Sequence, residues 1–485
     1  MTMLDAPPAP GDPPPAPGDP PPAELPVALV PATRVLAGGR VLLGGSPARL
    51  ISLTDAGARV LAGWRKPAPV GSSTAARRLA RRLLDAGILA PRPAAVRSTS
   101  ELTVVVPVRD RPGQLGRCLD AIAMACRDSP VFVVDDGSAA PAPVHRACQT
   151  RGVRVLRHAV CRGPAAARNT GLAACTTPYV AFVDSDVVLP AASVRGLLGH
   201  LVDPCLGAVA PRVRPLAPGG ERVARYEQRH SALDMGPAGA LVAPGRAVSY
   251  VPSTVLVVRR AAAGRGFDES LRTGEDVDFV WRLLRAGWRV RYAPEIAVWH
   301  EHRVRLRAFV ADRHTYARSA GRLARRHPAA LPAVWLNPGL AAVWVLALAG
   351  RPKAALGAAT WAGVSQVRKL SRRRGLPGGL AGLVVARGLV GSGLALAHAV
   401  RRWSPALLAL ALRRPGIRAG LVAAFAVPVI EDGLRSRDPA AALADAPLRL
   451  LDEVLAATGT WDGCVRERTL RPLLPARRAP NLTAA

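Results

Sequence analysis

Asp184 and Asp186 flank Ser185 directly after the apolar run YVAFV, so two carboxylates stand on a loop at the carboxyl end of a strand. Two hard oxygen ligands in that place suit Mg²⁺ or Mn²⁺ bridging a diphosphate. In isolation the pair reads equally well as an acidic surface turn, so its weight depends on what accompanies it. Asp135 and Asp136 end the run VFVV, and Gly137 allows the turn that follows. One carboxylate, Asp136, is then placed to accept from a base N–H or a ribose hydroxyl, or simply to cap a helix.

Arg168 and Asn169 fall at the start of a helix, where Arg168 either pairs with a phosphate or makes a structural ion pair with the acidic loops. Glu275, Asp276 and Asp278 open the helical stretch that ends at Gly287. Asp278 and Arg282 are spaced i, i+4 and read as a structural pair, which leaves Glu275 and Asp276 near the helix N-terminus. The dipole there keeps a carboxylate ionised, as a general base requires; plain N-terminal helix charge is the alternative. His300 closes a strand-like segment and offers one imidazole to a metal site, with His302 as its neighbour and competitor.

These groups need strands and helices to converge. From Leu102 the apolar strands LTVVVP, VFVVDD, VRVLR and YVAFVD alternate with amphipathic helical stretches, the pattern of a mainly parallel sheet with helices on both faces. Such sheets bind ligands at the carboxyl ends of their strands, where this sequence gathers its acids and glycines. Ahead of this, residues 33–97 read as a small α+β domain. RVLAGGRVLLGG suggests two strands about a Gly-Gly turn, followed by two helices, the first capped at Thr54 or Asp55 and the second ending at Gly87. Its order is similar to the winged-helix-like domains that recognise peptide substrates; a plain packing cap fits as well. Residues 1–32 are Pro-Gly-Asp-Pro repeats and read as a disordered leader without the apolar core of a signal peptide.

Residues 328–485 read as a helical, apolar region with Arg clusters. Its runs at 331–350, 376–400 and 405–430 are interrupted by Pro338, by Arg387 and His398, and by Arg413, Arg414 and Pro415. A charge at a bilayer centre costs roughly 3 kcal/mol, so helices lying on or dipping into an anionic membrane surface are expected rather than simple spans. A soluble helical domain is the alternative. The formal net charge of +32 fits nucleic acid, an anionic membrane or a phosphate-bearing substrate. With aromatics at 4% and no recognition-helix motif, no nucleic-acid partner is expected. The seven cysteines show no CxxC pair and read as reduced thiols of a cytosol-facing protein.

Taken in order, PVRDRP at 107–112, DDGS at 135–138, Gly163 through ARNTGL, DSD at 184–186, GEDVDF at 274–279 and His300 resemble family 2 glycosyltransferases. The resemblance implies a GT-A fold over about residues 100–327 and inversion at the anomeric carbon. It implies a nucleotide-sugar donor contacted by Pro107, Arg109, Asp136, Arg168, Asp184 and Glu275, with Arg168 near the diphosphate. It further implies Asp184, Asp186 and His300 around Mg²⁺ or Mn²⁺, and Asp276 as catalytic base. The whole layout, with stretches such as LLGGSPARLISLT and GEDVDFVWRL, resembles enzymes that add glucose units to a peptide-derived redox cofactor. UDP-glucose and a peptide-derived small-molecule acceptor are implied, at the cytoplasmic membrane face or in the cytoplasm. The chain departs from processive relatives in lacking a clear QxxRW, RHTYARSAGRL at 313–323 standing in that region, so one or a few additions are expected. The rival readings are a membrane-associated family 2 enzyme building an envelope glycan or glycolipid, and a non-catalytic nucleotide-sugar or peptide-binding protein.

Overall fold

The computed structural model describes residues 16, 18–216, 220–335, 338–348, 350–374 and 377–476. It divides into two compact units, one reaching His302 and one beginning at Arg303.

The first unit opens with the small domain. Strands β1 (Pro26–Leu29), β2 (Arg34–Leu36), β3 (Val41–Gly44) and β4 (Arg49–Ser52) precede helix α1 (Asp55–Gly63). Then come β5 (Ala68–Pro69), α2 (Thr74–Asp85) and β6 (Leu89–Pro91). Two antiparallel three-stranded sheets result, β5-β1-β6 and β2-β3-β4. The Thr54 side chain accepts from Gly57 N at 3.2 Å, the N-cap expected there. One boundary moves: residues 1–15 and 17 of the expected leader lie outside the described residues, but β1 is the central strand of its sheet, so the small domain begins before residue 33. Proline-rich repetition hid a strand whose Val27 is fully buried.

The larger part of this unit runs β7 (Leu102–Val108), α3 (Pro112–Ala125), β8 (Val131–Asp136), α4 (Pro141–Gln149), β9 (Arg154–His158), α5 (Pro164–Ala173), β10 (Tyr179–Val183) and β11 (Val187–Val188). It continues with α6 (Ser193–His200), β12 (Leu206–Pro215), α7 (Arg222–His230), β13 (Ala240–Leu241), β14 (Val255–Arg259), α8 (Glu275–Arg285) and β15 (Arg289–His300). The nine-stranded sheet has the order β11-β15-β12-β14-β10-β7-β8-β9, with β13 on β15.

Alternation along β7 decides which helix covers which face. Val104, Val106 and Val108 pack with Leu115, Cys118 and Ile122 of α3 and Val194 and Leu197 of α6. Val105 points the other way, where a Cβ on Gly171 of α5 would collide with it. On that face Phe182 meets Phe267 edge-on at 5.1 Å and Phe267 stacks on Phe279 of α8 at 4.3 Å, so α5 and α8 share one packed wall. The sheet is mixed rather than mainly parallel: β10, β7, β8 and β9 are parallel, whereas β14 runs antiparallel to both β10 and β12.

The second unit contains α9 (Leu306–Arg326), β16 (Val334–Trp335), α10 (Pro338–Leu348), α11 (Pro352–Arg374), α12 (Gly378–Ala411), α13 (Pro415–Ser436), α14 (Pro439–Arg466) and β17 (Pro475–Ala476). The second compact unit begins at Arg303, some residues before the boundary expected at 327, and α9 packs against α14 within it. Small residues make this close: a Cβ on Gly459 of α14 would meet Ala317 Cβ at 2.8 Å, and one on Gly321 would strike the Gly463 carbonyl. The expected break at Arg413, Arg414 and Pro415 separates α12 from α13. Among the described residues α12 is the one helix long and apolar enough to cross a membrane, and its apolar stretch is mostly uncovered. Arg401 in α12 turns inward instead, donating to Glu453 at 2.8 Å and to the Ala424 carbonyl at 2.9 Å.

Candidate active site

The carboxyl ends of β7, β8 and β10 and the N-termini of α5 and α8 converge on the acidic motifs. On the nucleotide side, Pro107 is half-buried near the end of β7 and Arg109 is exposed just beyond it, its Nη1 3.2 Å from the Cys161 thiol. Asp110 adopts φ +54, and its carboxylate accepts from Ala139 N at 2.7 Å while Ser138 Oγ accepts from Asp110 N. The loop after β7 is thereby stitched to the loop after β8. Asp136 does not project a free carboxylate. It accepts from Arg162 N at 2.8 Å and Gly163 N at 2.7 Å and pairs with His158 Nδ1 at 2.8 Å, while His158 Nε2 lies 2.8 Å from Thr170 Oγ1. Burial opposes ionisation of Asp136, but these hydrogen bonds outweigh it and hold its pKa below the usual carboxylate range. Its role in this structure is to fix the loop leading into α5.

At the DSD loop, sheet register explains how two distant motifs meet. Val187 of β11 pairs with His300 of β15, and Glu301 N donates to Asp186 O at 2.9 Å. His300 Nε2 consequently lies 3.2 Å from Asp186 Oδ1, and the Arg111 guanidinium takes Oδ2. Burial raises the Asp186 pKa, yet His300 and Arg111 more than offset this and keep it low. Among the described residues no group of three His, Cys, Asp or Glu side chains gathers as a metal cluster. Asp184 is turned away to Arg168 instead of joining the Asp186–His300 pair. Two protein ligands of this chemistry still fit a cation whose remaining positions are filled by substrate phosphates and water.

Arg168 is the hub between the DSD loop and α8. Its Nη2 donates to Asp184 Oδ1 at 2.7 Å and its Nη1 to Glu275 Oε1 at 3.0 Å, with the guanidinium 5.4 Å from the Phe267 ring centroid. Only 4% of the residue is exposed, so the structural ion pair, one of the two sequence readings, describes it here. Glu275 lies beneath the site at 8% exposure, and Asp276 beside it remains partly accessible. Burial lifts the Glu275 pKa to about 7, the Asp276 charge adding to it and Arg168 opposing. Burial likewise raises Asp276, with Asp184 adding to the shift and Val277 N, 2.8 Å away, opposing. The helix N-terminus was expected to keep a carboxylate here ionised; desolvation, which favours the neutral acid, is the larger effect at both. Asp278 and Arg282 pair at 2.7 Å, as their spacing predicted.

Sequence reasoning missed Arg111, although it lies inside the PVRDRP motif, and His158, which carried no local signal. Both act through residues distant in sequence.

The fold is the GT-A-like α/β fold of glycosyltransferases, and the family model for glycosyl transferase family 2 matches residues 103–262. The chain is 42% identical over 460 residues to the pre-mycofactocin glycosyltransferases of Mycobacterium tuberculosis strains CDC 1551 / Oshkosh and H37Rv, covering 91% of this chain and 95% of each relative. It belongs to glycosyltransferase family 2 and is closely related to the mycobacterial pre-mycofactocin enzyme. Among solved structures, a mannosyltransferase from Pyrobaculum calidifontis in complex with GDP-Man and Mn²⁺ aligns at TM-score 0.44 and 18% identity, covering 76% of this chain and 90% of that one.

Proposed function

We propose that this glycosyltransferase moves glucose from UDP-glucose, with inversion, onto a hydroxyl of a pre-mycofactocin-type peptide-derived acceptor. The observation that carries this reading is the near full-length identity to the pre-mycofactocin enzymes, with the small domain and helical region included in the match. Asp276 is the base: it is partly accessible at the start of α8, and its raised pKa makes it a better proton acceptor for a sugar-attacking hydroxyl. Asp186 and His300 would hold Mg²⁺ or Mn²⁺, with Asp184 adjacent; the cation supplies charge neutralisation for the departing nucleoside diphosphate. Arg168 keeps Asp184 and Glu275 fixed relative to each other, so the metal loop and base helix keep one geometry through the reaction. Pro107, Arg109 and the loop pinned by Asp136 form the wall for the nucleotide.

The exposed apolar residues Leu356 and Trp361 of α11 and Val390 of α12, with Arg387 and Lys353 close by in sequence, support contact with the cytoplasmic, anionic membrane face. The deciding experiment incubates the full chain with Mn²⁺ or Mg²⁺, UDP-, GDP- and TDP-sugars and a mycofactocin-type acceptor, read by mass spectrometry beside Asp276→Asn. A hexose-shifted acceptor from UDP-glucose, absent with Asp276→Asn, is expected. Turnover only with another donor or acceptor would overturn the substrate assignment and keep the enzyme class.

A further inference from the structure

The guanidinium that the motif order placed near the diphosphate, Arg168, is buried and committed on both sides to Asp184 and Glu275. Arg162, next in line at the entry to α5, is paired with Glu269 at 2.8 Å. A second arginine approaches the start of α5 from the α8 side. Arg272 lies on the loop before α8, two residues ahead of the N-cap Gly274, and it is exposed. Among the described residues it has no hydrogen-bond or ion-pair partner. Its side chain nevertheless lies down on the backbone of Gly163, the N-cap of α5. A Cβ at Gly163 would meet Arg272 Nη1 at 2.5 Å and its Cδ and Cζ at 3.4 Å. Gly163 holds φ +99, so glycine there both makes the turn and leaves room for the guanidinium.

We propose that Arg272 is the side-chain cation that binds the diphosphate of the donor. This rests on the nucleotide-sugar reading given above. The argument is one of place and commitment: the unpaired guanidinium lies on the loop entering α5, which Asp136 holds rigid through Arg162 N and Gly163 N. It belongs to the loop that leads into Glu275 and Asp276, so occupancy of the diphosphate position would be felt directly at the start of the base helix. A planar fork with several donors suits phosphate oxygens better than an ammonium does. Gly163 thus acts as the seat of Arg272, and the GED motif gains a donor-binding residue upstream of its acids.

The test compares wild type, Arg272→Ala and Arg272→Lys as full chains with Mn²⁺. UDP and GDP binding are measured by calorimetry, and binding of uridine, which lacks phosphate, by ligand-observed NMR. UDP affinity is expected to fall about 10- to 100-fold in Arg272→Ala, the range of a lost hydrogen bond to a charged group, and less in Arg272→Lys. Uridine binding is expected to stay within about twofold, which also reports an intact nucleotide wall. Unchanged UDP affinity in Arg272→Ala, or equal losses for UDP and uridine, overturns the assignment of Arg272 alone. Failure of the wild type to bind either UDP or GDP would remove the donor reading and this proposal together.

Discussion

Arg168 donates to Asp184 at 2.7 Å from a nearly fully buried position, so the first acid of the DSD motif is tied to α5, the helix that follows β9. The other side of the same guanidinium holds Glu275, which makes one cation the joint between the DSD loop and α8. Removing it leaves two carboxylates of a desolvated site without their counter-charge. Arg168→Ala is expected to lose about 3–5 kcal/mol of stability and most transferase activity, with Arg168→Lys recovering part of each. Thermal unfolding beside donor turnover checks this; an unaltered melting temperature in Arg168→Ala would show that the joint is dispensable.

Asp276→Asn removes the proposed proton acceptor while keeping shape. A fall in kcat of about 10²- to 10⁴-fold is expected, with donor affinity little changed, because the amide accepts no proton from the attacking hydroxyl. Steady-state kinetics with calorimetric donor binding separates the two quantities. A large loss of donor affinity with kcat preserved would move Asp276 from chemistry to binding.

The raised carboxylates at 275 and 276 set a pH dependence. Glu275 titrates at about 7 and Asp276 is also shifted up, so the pair takes up a proton as pH falls through that region and loses base strength. Transfer should therefore decline on the acid side of neutrality. For stability the sign is opposite: a carboxyl whose folded pKa is raised favours the folded state at low pH, and this contribution is lost as pH rises toward 7. A profile of kcat/KM between pH 5 and 9 that stays flat down to pH 5 would refute the assignment.

How much of this was legible in the sequence differs from motif to motif. The strand-then-acid pattern located Asp136, Asp184 and Asp186, because apolar strands and the polar loops at their ends differ in composition. His300 was also legible as a partner of Asp186, and the β11–β15 register brings them together. What stayed hidden is the pairing of charges across elements. Nothing local distinguishes Arg168, buried between two acids, from Arg272, exposed on Gly163, since burial depends on packing by Phe267 and Phe279 from a distant segment. The parallel half of the sheet was visible as strand–helix alternation, whereas the antiparallel β14 follows a loop that carries no periodic signal. At the N-terminus proline content masked β1, because strand propensity is judged locally while its burial comes from β5 and β6.

Stripping divalent cation with EDTA should abolish transfer, and Mn²⁺ should restore it. Asp186→Asn and His300→Ala should each require about 10- to 100-fold more Mn²⁺ for half-activation, since each would remove one of the two adjacent atoms proposed to hold the cation. Activity of the wild type that survives exhaustive chelation would exclude the metal role of the pair.

The seam between the small domain and the catalytic sheet offers a test in which chemistry at the active site is left alone. Arg81 of α2 forks onto Asp203 at 2.9 and 2.6 Å, both side chains nearly fully buried, and Asp85 one turn later receives Arg289 of β15 at 2.8 Å. Breaking one partner leaves an uncompensated buried charge, whereas replacing both by apolar groups of similar size removes the penalty as well as the pair. Arg81→Met alone should therefore lower stability by about 3–5 kcal/mol, and the double variant Arg81→Met with Asp203→Leu should recover most of that loss. Denaturant unfolding of the four members of the cycle yields the coupling. If the double variant is as unstable as the sum of the single ones, the pair is not the contact that holds the small domain to β12 and β15, and the apolar contacts of Leu25 and Leu84 with their surroundings carry that role.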